Sequence, residues 1–403
     1  MRFLLLPLLI ISFRFVEAQK LIRGIYHAEL LLNKEKNVVL PFTISIENDS
    51  LINFHNGEEK ITVKEIKLIR DSFELKMPIF DSEFHFKKNG KELNGFWYNL
   101  SKSKPSIIPF YATKKVSYRF IHPKPLPNNF FAGRWESYFG SATIKTGNAI
   151  GVFQIKDSRA MGTFLTETGD YRYLEGITSG RVMYLSCFDG SHAFLFIARL
   201  NEKNEIEGDF YSGNSYHEKW SARKNENFNL KNANEITKVD QPDEKIDFKF
   251  KNTSGVNISL NDEKFKNKVV MIQLMGSWCP NCMDETNYFS ELYNNYKDQG
   301  LEIIGICFER TEDTIKARKN IVRLKERFNV KYELLVSGLT GKDKASETFP
   351  MLSEISAFPT TIFLNKKKKI EKIHTGFSGP ATGEEFIKYK IETNDLLQKL
   401  LKE

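Results

Sequence analysis

Cysteine is scarce in this chain. Four cysteines in 403 residues are too few for a disulfide scaffold in an exported protein. There is no second Cys-x-x-Cys and no His-x-x-x-His, so a zinc site would lack its other ligands and no metal centre is expected. Beyond the first residues no apolar run approaches the ~20 residues of a membrane helix, so the chain is not expected to span a bilayer. Charge of one sign is also missing. The 59 basic residues are interspersed with 51 acidic ones, giving a net charge of +8. That balance favours solubility and excludes a nucleic-acid-binding surface. The densest basic run, Lys366-Lys367-Lys368-Lys369, follows Asn365 between two apolar stretches and reads as a solvated hairpin turn.

What is present is one pair of cysteines in a telling place. Residues 269–275 form an apolar run broken only by Gln273, and Gly276-Ser277 follow as a turn. This suits a central strand covered on both faces. From Cys282 onward Met283, Thr286, Phe289, Leu292, Tyr293 and Tyr296 recur at helical spacing. Cys279 therefore lies at a helix N-terminus, where unpaired N–H groups and the positive end of the dipole favour a thiolate. Such sites lower a thiol pKa from about 8.5 to as little as ~3.5. Pro280 costs no hydrogen bond in the first turn. Cys282, one turn on, can close a disulfide and resolve a mixed disulfide formed on Cys279. An inert structural bridge is the weaker alternative, because so short a loop returns little chain entropy.

Trp278-Cys279-Pro280-Asn281-Cys282 after an apolar strand resembles a thioredoxin-fold active site. Ala357-Phe358-Pro359-Thr360-Thr361, followed by Ile362-Phe363-Leu364, resembles the cis-proline loop and next strand of that fold. The similarity is to the TlpA/ResA-like branch of extracytoplasmic thiol–disulfide oxidoreductases and covers about 246–403. It implies an enzyme without a cofactor that reduces or exchanges protein disulfides, cytochrome c precursors among them, and is recharged by a membrane thiol electron donor. By the same resemblance Pro359 is cis and shapes the substrate site, with Trp278, Phe358 and Thr360 along the groove and Phe377 nearby. Relatives similar to ResA carry a glutamate at the spacing of Glu285, where it helps move the proton of the buried cysteine. A partly buried carboxylate with a raised pKa could take that proton; an ordinary first-turn acid favoured by the helix dipole is the plainer alternative. Gln273 stands where many thioredoxins carry a buried aspartate, which leaves more for Glu285. Asp284 is expected to face solvent.

The rest of the chain reads differently. Residues 1–18 fit an export signal: Arg2, an apolar run over 3–13, and Val16-Glu17-Ala18 before a cleavage point. The mature protein is thus expected in the periplasm or cell envelope. From about 20 to 223, short alternating runs separated by polar turns, Lys88-Asn89-Gly90-Lys91 among them, predict strand after strand. This region repeats itself: Gly24-Ile25-Tyr26 matches Gly133-Arg134-Trp135, and Leu93 to Tyr98 matches Ile206 to Tyr211, with an offset held between 108 and 113. Two related all-β halves, 19–122 and 123–225, barrel- or sandwich-like, are expected. Trp97, Trp135, Phe210 and their neighbours are core or line a binding mouth. Residues 226–245 have few apolar anchors and read as a linker. The fold class is therefore multidomain, with an N-terminal all-β part and a C-terminal α/β thioredoxin-like domain over 246–403. His85, His192, His217 and His374 are expected as structural histidines, and Cys187 and Cys307 as core thiols. Two rival functions remain. One is a thiol peroxidase, which would want a different setting around its cysteine. The other is a ligand- or partner-binding envelope protein whose β region carries the main function.

Overall fold

The computed structural model describes residues 20–101, 105–114, 119–140, 145–241 and 245–403. The expected leader at 1–18 lies outside the described residues, as do 242–244 of the linker. Three sheets organise the described residues. The first is a nine-stranded antiparallel meander running from Gly24–Asn33 to Ser106–Lys114. Its first and last strands pair, with Leu30 opposite Phe110, so the sheet curls toward closure. Its open seam lies between Glu59–Val63 and Glu65–Ile69. The second meander, from Gly133–Gly140 to Tyr216–Lys224, repeats this wiring. Its ends pair through Trp135 and Lys224, and Lys145–Lys156 also pairs with Arg159–Thr166, which completes a barrel. Gly24 and Gly133, matched in sequence, each open the first strand of their meander at positive φ.

Alternation drives both sheets. Val38–Asn48 buries every second residue along Phe42, Ile44 and Ile46, as a half-buried strand must. The second barrel is filled by Trp135, Phe164, Phe196, Phe210 and Trp220. The first is plugged from outside: Phe188 of the second sheet inserts among Phe42, Phe54, Phe84 and Trp97, with ring centroids 4.8–5.5 Å away. Residues of both meanders therefore pack into the first core, and the second barrel keeps one of its own. A buried guanidinium ties them as well. Arg119 donates to the Ser186 hydroxyl, the His55 carbonyl and Asn56 Oδ1, each at 2.8 Å.

The third sheet has seven strands. Val269–Met275, Leu301–Glu309 and Glu333–Thr340 run parallel at its centre. Thr360–Leu364 and Ile370–Thr375 add an antiparallel pair on one side, and the hairpin Lys249–Asn252/Asn257–Ser259 extends the other. Every residue of Val269–Met275 is buried. With helices Pro280–Tyr296, Thr314–Arg327, Gly341–Thr348 and Glu384–Lys402, this is a thioredoxin-like α/β fold. The short helix Gly341–Thr348 ends ahead of Pro350, which disfavours helical geometry in the residue before it.

The segment 226–241 is tied down mostly through hydrogen bonds, with Phe228 against the Tyr138 ring. Val239 bridges to Leu352, Ser353 N–H donates to the Lys238 carbonyl at 2.8 Å, and Asp240 N–H to the Met351 carbonyl at 2.9 Å. Thr375 donates to the Thr237 hydroxyl, and His374 Nδ1 lies 2.8 Å from Asn234 Oδ1. Composition could not reveal these bonds because most of them use backbone.

Candidate redox site

Cys279 caps the helix Pro280–Tyr296 from an extended conformation, and its sulfur accepts the Cys282 N–H at 3.2 Å. The two cysteines are joined as a disulfide with Cα atoms 5.2 Å apart. Cys282 is completely buried, whereas Cys279 keeps 6% of its surface exposed. Only the first sulfur can therefore be approached. Its Sγ lies 3.5 Å from the Phe358 carbonyl, and the Phe358–Pro359 peptide is cis.

The turn before Cys279 is tied to the end of the neighbouring strand. Ser277 donates to Glu309 from N–H and Oγ at 2.8 and 2.7 Å, and Trp278 Nε1 donates to the Phe308 carbonyl at 3.0 Å. Burial pushes the Glu309 carboxyl up, and the Ser277 donors pull against it. Arg310 stacks its guanidinium 3.8 Å over the Trp278 ring, a cation–π contact. Trp278 in turn meets Phe358 edge-on at 6.2 Å. Thr360, expected along the groove, is fully buried and spends its hydroxyl on the Ala357 carbonyl at 2.9 Å. Every residue of Thr360–Leu364 is buried, so both faces of this strand are covered. Phe377 is likewise buried, against Tyr389 and Phe386.

Glu285 is buried beneath the disulfide. Its carboxylate accepts from Gln273 Nε2 at 2.8 Å, Thr361 Oγ1 at 3.0 Å and Tyr389 OH at 3.0 Å. Burial pushes its pKa up to about 7, and the three donors hold it from rising further. Gln273 also reaches the Cys282 carbonyl at 3.5 Å. The glutamine thus links the carboxylate to the backbone of the buried cysteine.

Asp284 corrects the expectation of a solvent-facing acid. It is ion-paired with Arg172 of the second barrel, a buried guanidinium that also contacts Glu59 and lies 3.6 Å from Asp189. Burial pushes the Asp284 carboxyl up while Arg172 draws it down. Beside it, Asn281 Nδ2 donates to the Asp170 carbonyl at 3.3 Å and to the Phe377 carbonyl at 3.5 Å. The Asp170 carboxylate accepts the Gly379 N–H at 2.6 Å. Gly169 sits so close that a Cβ there would collide with the Asn281 amide, and its φ of +147° also excludes most side chains. The barrel is thereby docked on the first turn of the cysteine helix. Sequence reading missed Arg172, Asp170 and Gly169, which carry no periodic or motif signal.

The docking frames an open cleft of about 1010 Å³ between the barrel mouth and the disulfide, reached by Trp278, Cys279, Pro280, Asn281, Arg310 and Phe358 from one side. Cys187 and Cys307 are buried and unpaired. Among the described residues no cluster of three or more His, Cys, Asp or Glu is placed to hold a metal, and no helix is long and apolar enough to cross a membrane.

Residues 242–373 match the AhpC/TSA family. Thiol-disulfide oxidoreductase ResA of Halalkalibacterium halodurans is 28% identical over 142 residues, 35% of this chain and 72% of that protein. ResA of Bacillus thuringiensis subsp. konkukian is 30% identical over 134 residues, 33% of this chain and 69% of its own length. The solution structure of a putative protein disulfide isomerase from Bacteroides thetaiotaomicron aligns with 43% of this chain and 95% of its own, at 20% identity and a TM-score of 0.32. Together with the fold, the sequence relatives define a thiol–disulfide oxidoreductase built on a thioredoxin-like domain. The chain belongs to the ResA family of these enzymes.

Proposed function

We propose that Cys279 and Cys282 are the exchanging pair of an exported enzyme that reduces or exchanges protein disulfides. The observation that carries this reading is the asymmetry of the pair: an approachable Cys279 at a helix N-terminus and a buried Cys282 above the Glu285 carboxylate. In the reducing direction the Cys279 thiolate attacks one sulfur of a substrate disulfide, and the other sulfur leaves as a thiolate. Cys282, its proton passed to Glu285, then attacks Cys279 Sγ. The second substrate sulfur departs, and the enzyme is left oxidised by two electrons. The Phe358 carbonyl beside Sγ, together with Trp278 and Pro359, would orient the incoming segment, and Thr360 would brace that loop from within.

In the same reading residues 1–18 direct export to the periplasm or envelope, 19–122 and 123–225 are related β halves, 226–245 link them to the redox domain at 246–403, and a membrane thiol donor restores the dithiol. Cytochrome c precursors fit the substrate class. The test is turnover of a peptide–glutathione mixed disulfide with dithiothreitol as donor. Cys279→Ser should abolish it, and Cys282→Ser should stop with the peptide bonded to Cys279. An adduct on Cys187 or Cys307 would overturn the assignment. So would brisk hydrogen peroxide consumption without disulfide turnover, which would favour a thiol peroxidase.

A further inference from the structure

We infer that the mouth of the second barrel is a side-chain subsite of the redox centre. It takes an extended, cysteine-bearing peptide segment with an aromatic or large aliphatic residue beside the cysteine. The inference rests on the proposed exchange at Cys279 and adds the substrate feature that the β region would select.

The barrel side of the cavity carries five aromatic rings among polar groups. Phe139, Tyr171, Phe194, Phe210 and Tyr216 line it, and they form a continuous layer: Phe139 stacks on Tyr171 at 5.5 Å, Tyr171 meets Phe194 at 5.3 Å, and Phe210 meets Tyr216 at 6.1 Å. Beneath this layer Phe164, Phe196 and Trp220 fill the barrel, with centroids 4.7–6.1 Å apart. An occupant therefore sits between barrel and disulfide, not inside the barrel. Tyr216 is 48% exposed at the rim, an uncovered ring where a bulky side chain would gain contact.

The wall is held in place. Arg172 with Asp284, Asn281 with the Asp170 carbonyl, and the close approach of Gly169 fix the barrel over the cysteine helix. The space is thus bounded by two surfaces bonded to each other.

Size, charge and reach point to a peptide. About 1010 Å³ is at the upper end of ligand pockets, which run from ~300 to ~1,000 Å³, and exceeds what a single small thiol fills. Glu167, Asp170 and Glu218 line the same space as Arg310 and His192, so acidic groups outnumber basic ones and a polyanion is not favoured. Ser191, Ser212 and Thr168 add hydroxyls suited to a peptide backbone. Cys279 opens on this space while only 6% exposed, so a flexible segment reaches it more readily than a rigid folded surface.

The experiment uses the full-length disulfide form and follows its reduction by four thiols: dithiothreitol, glutathione, and the blocked peptides Gly-Phe-Cys-Gly and Gly-Gly-Cys-Gly. Two thiols deliver two electrons, with one peptide bonded transiently to Cys279 and a peptide disulfide released. The Phe peptide should react at least about tenfold faster than the Gly peptide and than glutathione, the equivalent of ~1.4 kcal/mol. In Tyr216→Ser, and separately in Phe194→Leu, that ratio should fall toward one. Reduction by dithiothreitol with equal peptide rates in the unaltered protein would overturn the subsite and leave the exchange reaction standing. So would glutathione matching the Phe peptide. No reduction by any of the four thiols would overturn the exchange reaction itself.

Discussion

Gln273 donates from Nε2 to Glu285 Oε2 at 2.8 Å, directly behind the disulfide. The neutral amide neither repels nor neutralises the carboxylate, so burial sets its proton affinity near pH 7. The attack of Cys282 on a Cys279 mixed disulfide should therefore accelerate with pH through an apparent pKa near 7. In Glu285→Gln that limb should vanish and the step at pH 7 should slow by about 10²-fold, the lower range for lost acid–base assistance. Stopped-flow release of a trapped peptide thiol, read across pH, checks both.

The same carboxyl makes stability depend on pH in a defined direction. Its folded pKa is raised, so the native state holds the proton more tightly than the unfolded chain. The stability this contributes is complete below the ordinary carboxylate range and is lost as pH rises through about 7. Glu285→Gln does not titrate there. The melting temperature of the variant minus that of the unaltered protein should become more positive from about pH 5 to about pH 8. A flat difference would mean that Glu285 is solvated in solution.

Arg172 is surrounded by Asp284, Glu59 and Asp189. Arg172→Ala leaves these acids facing each other with little water. The expected loss is about 3–5 kcal/mol in urea unfolding, the range for removing one partner of a buried pair. Asp284→Asn, which keeps a hydrogen-bonding group, should cost less. Equal effects would place the pair at a solvated surface.

Gly169 faces the Asn281 amide without room for a side chain. Gly169→Ala should push the barrel off the cysteine helix. Amides 281–284 should then exchange with deuterium faster than in the unaltered protein, while those of the Val269–Met275 strand stay protected. Unchanged exchange at 281–284 would contradict the docking.

Ser277 supplies two donors to the buried Glu309. Ser277→Ala removes one of them and should destabilise by about 1–3 kcal/mol, the range for a hydrogen bond to a charged or half-desolvated group. Denaturant unfolding measures it.

How much of this was legible follows from the kind of signal each residue leaves. The catalytic strand and its helix could be read because burial on both faces and helical spacing are local patterns. Glu285 could be read because a fixed spacing on a helix fixes its side. Asp284 could not: spacing says which face it shares, but what covers that face comes from Arg172, 112 residues away in the chain. The repeat at 24–26 and 133–135 pointed to two related halves, yet nothing local said that Phe188 of one would plug the other. Thr360 looked like a groove residue by its place after Pro359. The strand Thr360–Leu364 is covered on both faces, which closes Thr360 off, and the groove takes its wall from the barrel.

The central claim is that Cys279 and Cys282 form one redox couple, and equilibrium titration tests it most directly. The protein is poised against a dithiothreitol or glutathione series, quenched with an alkylating agent and weighed, with Cys279→Ser as control. With alkylation carried out in denaturant, the account predicts that Cys187 and Cys307 are labelled at every potential while Cys279 and Cys282 gain their labels together in a single two-electron transition. A midpoint near that of thioredoxin, about −270 mV, would make it a reductant, and one near about −120 mV a disulfide donor. A pair that never titrates, or titrates as two independent thiols, would contradict the account.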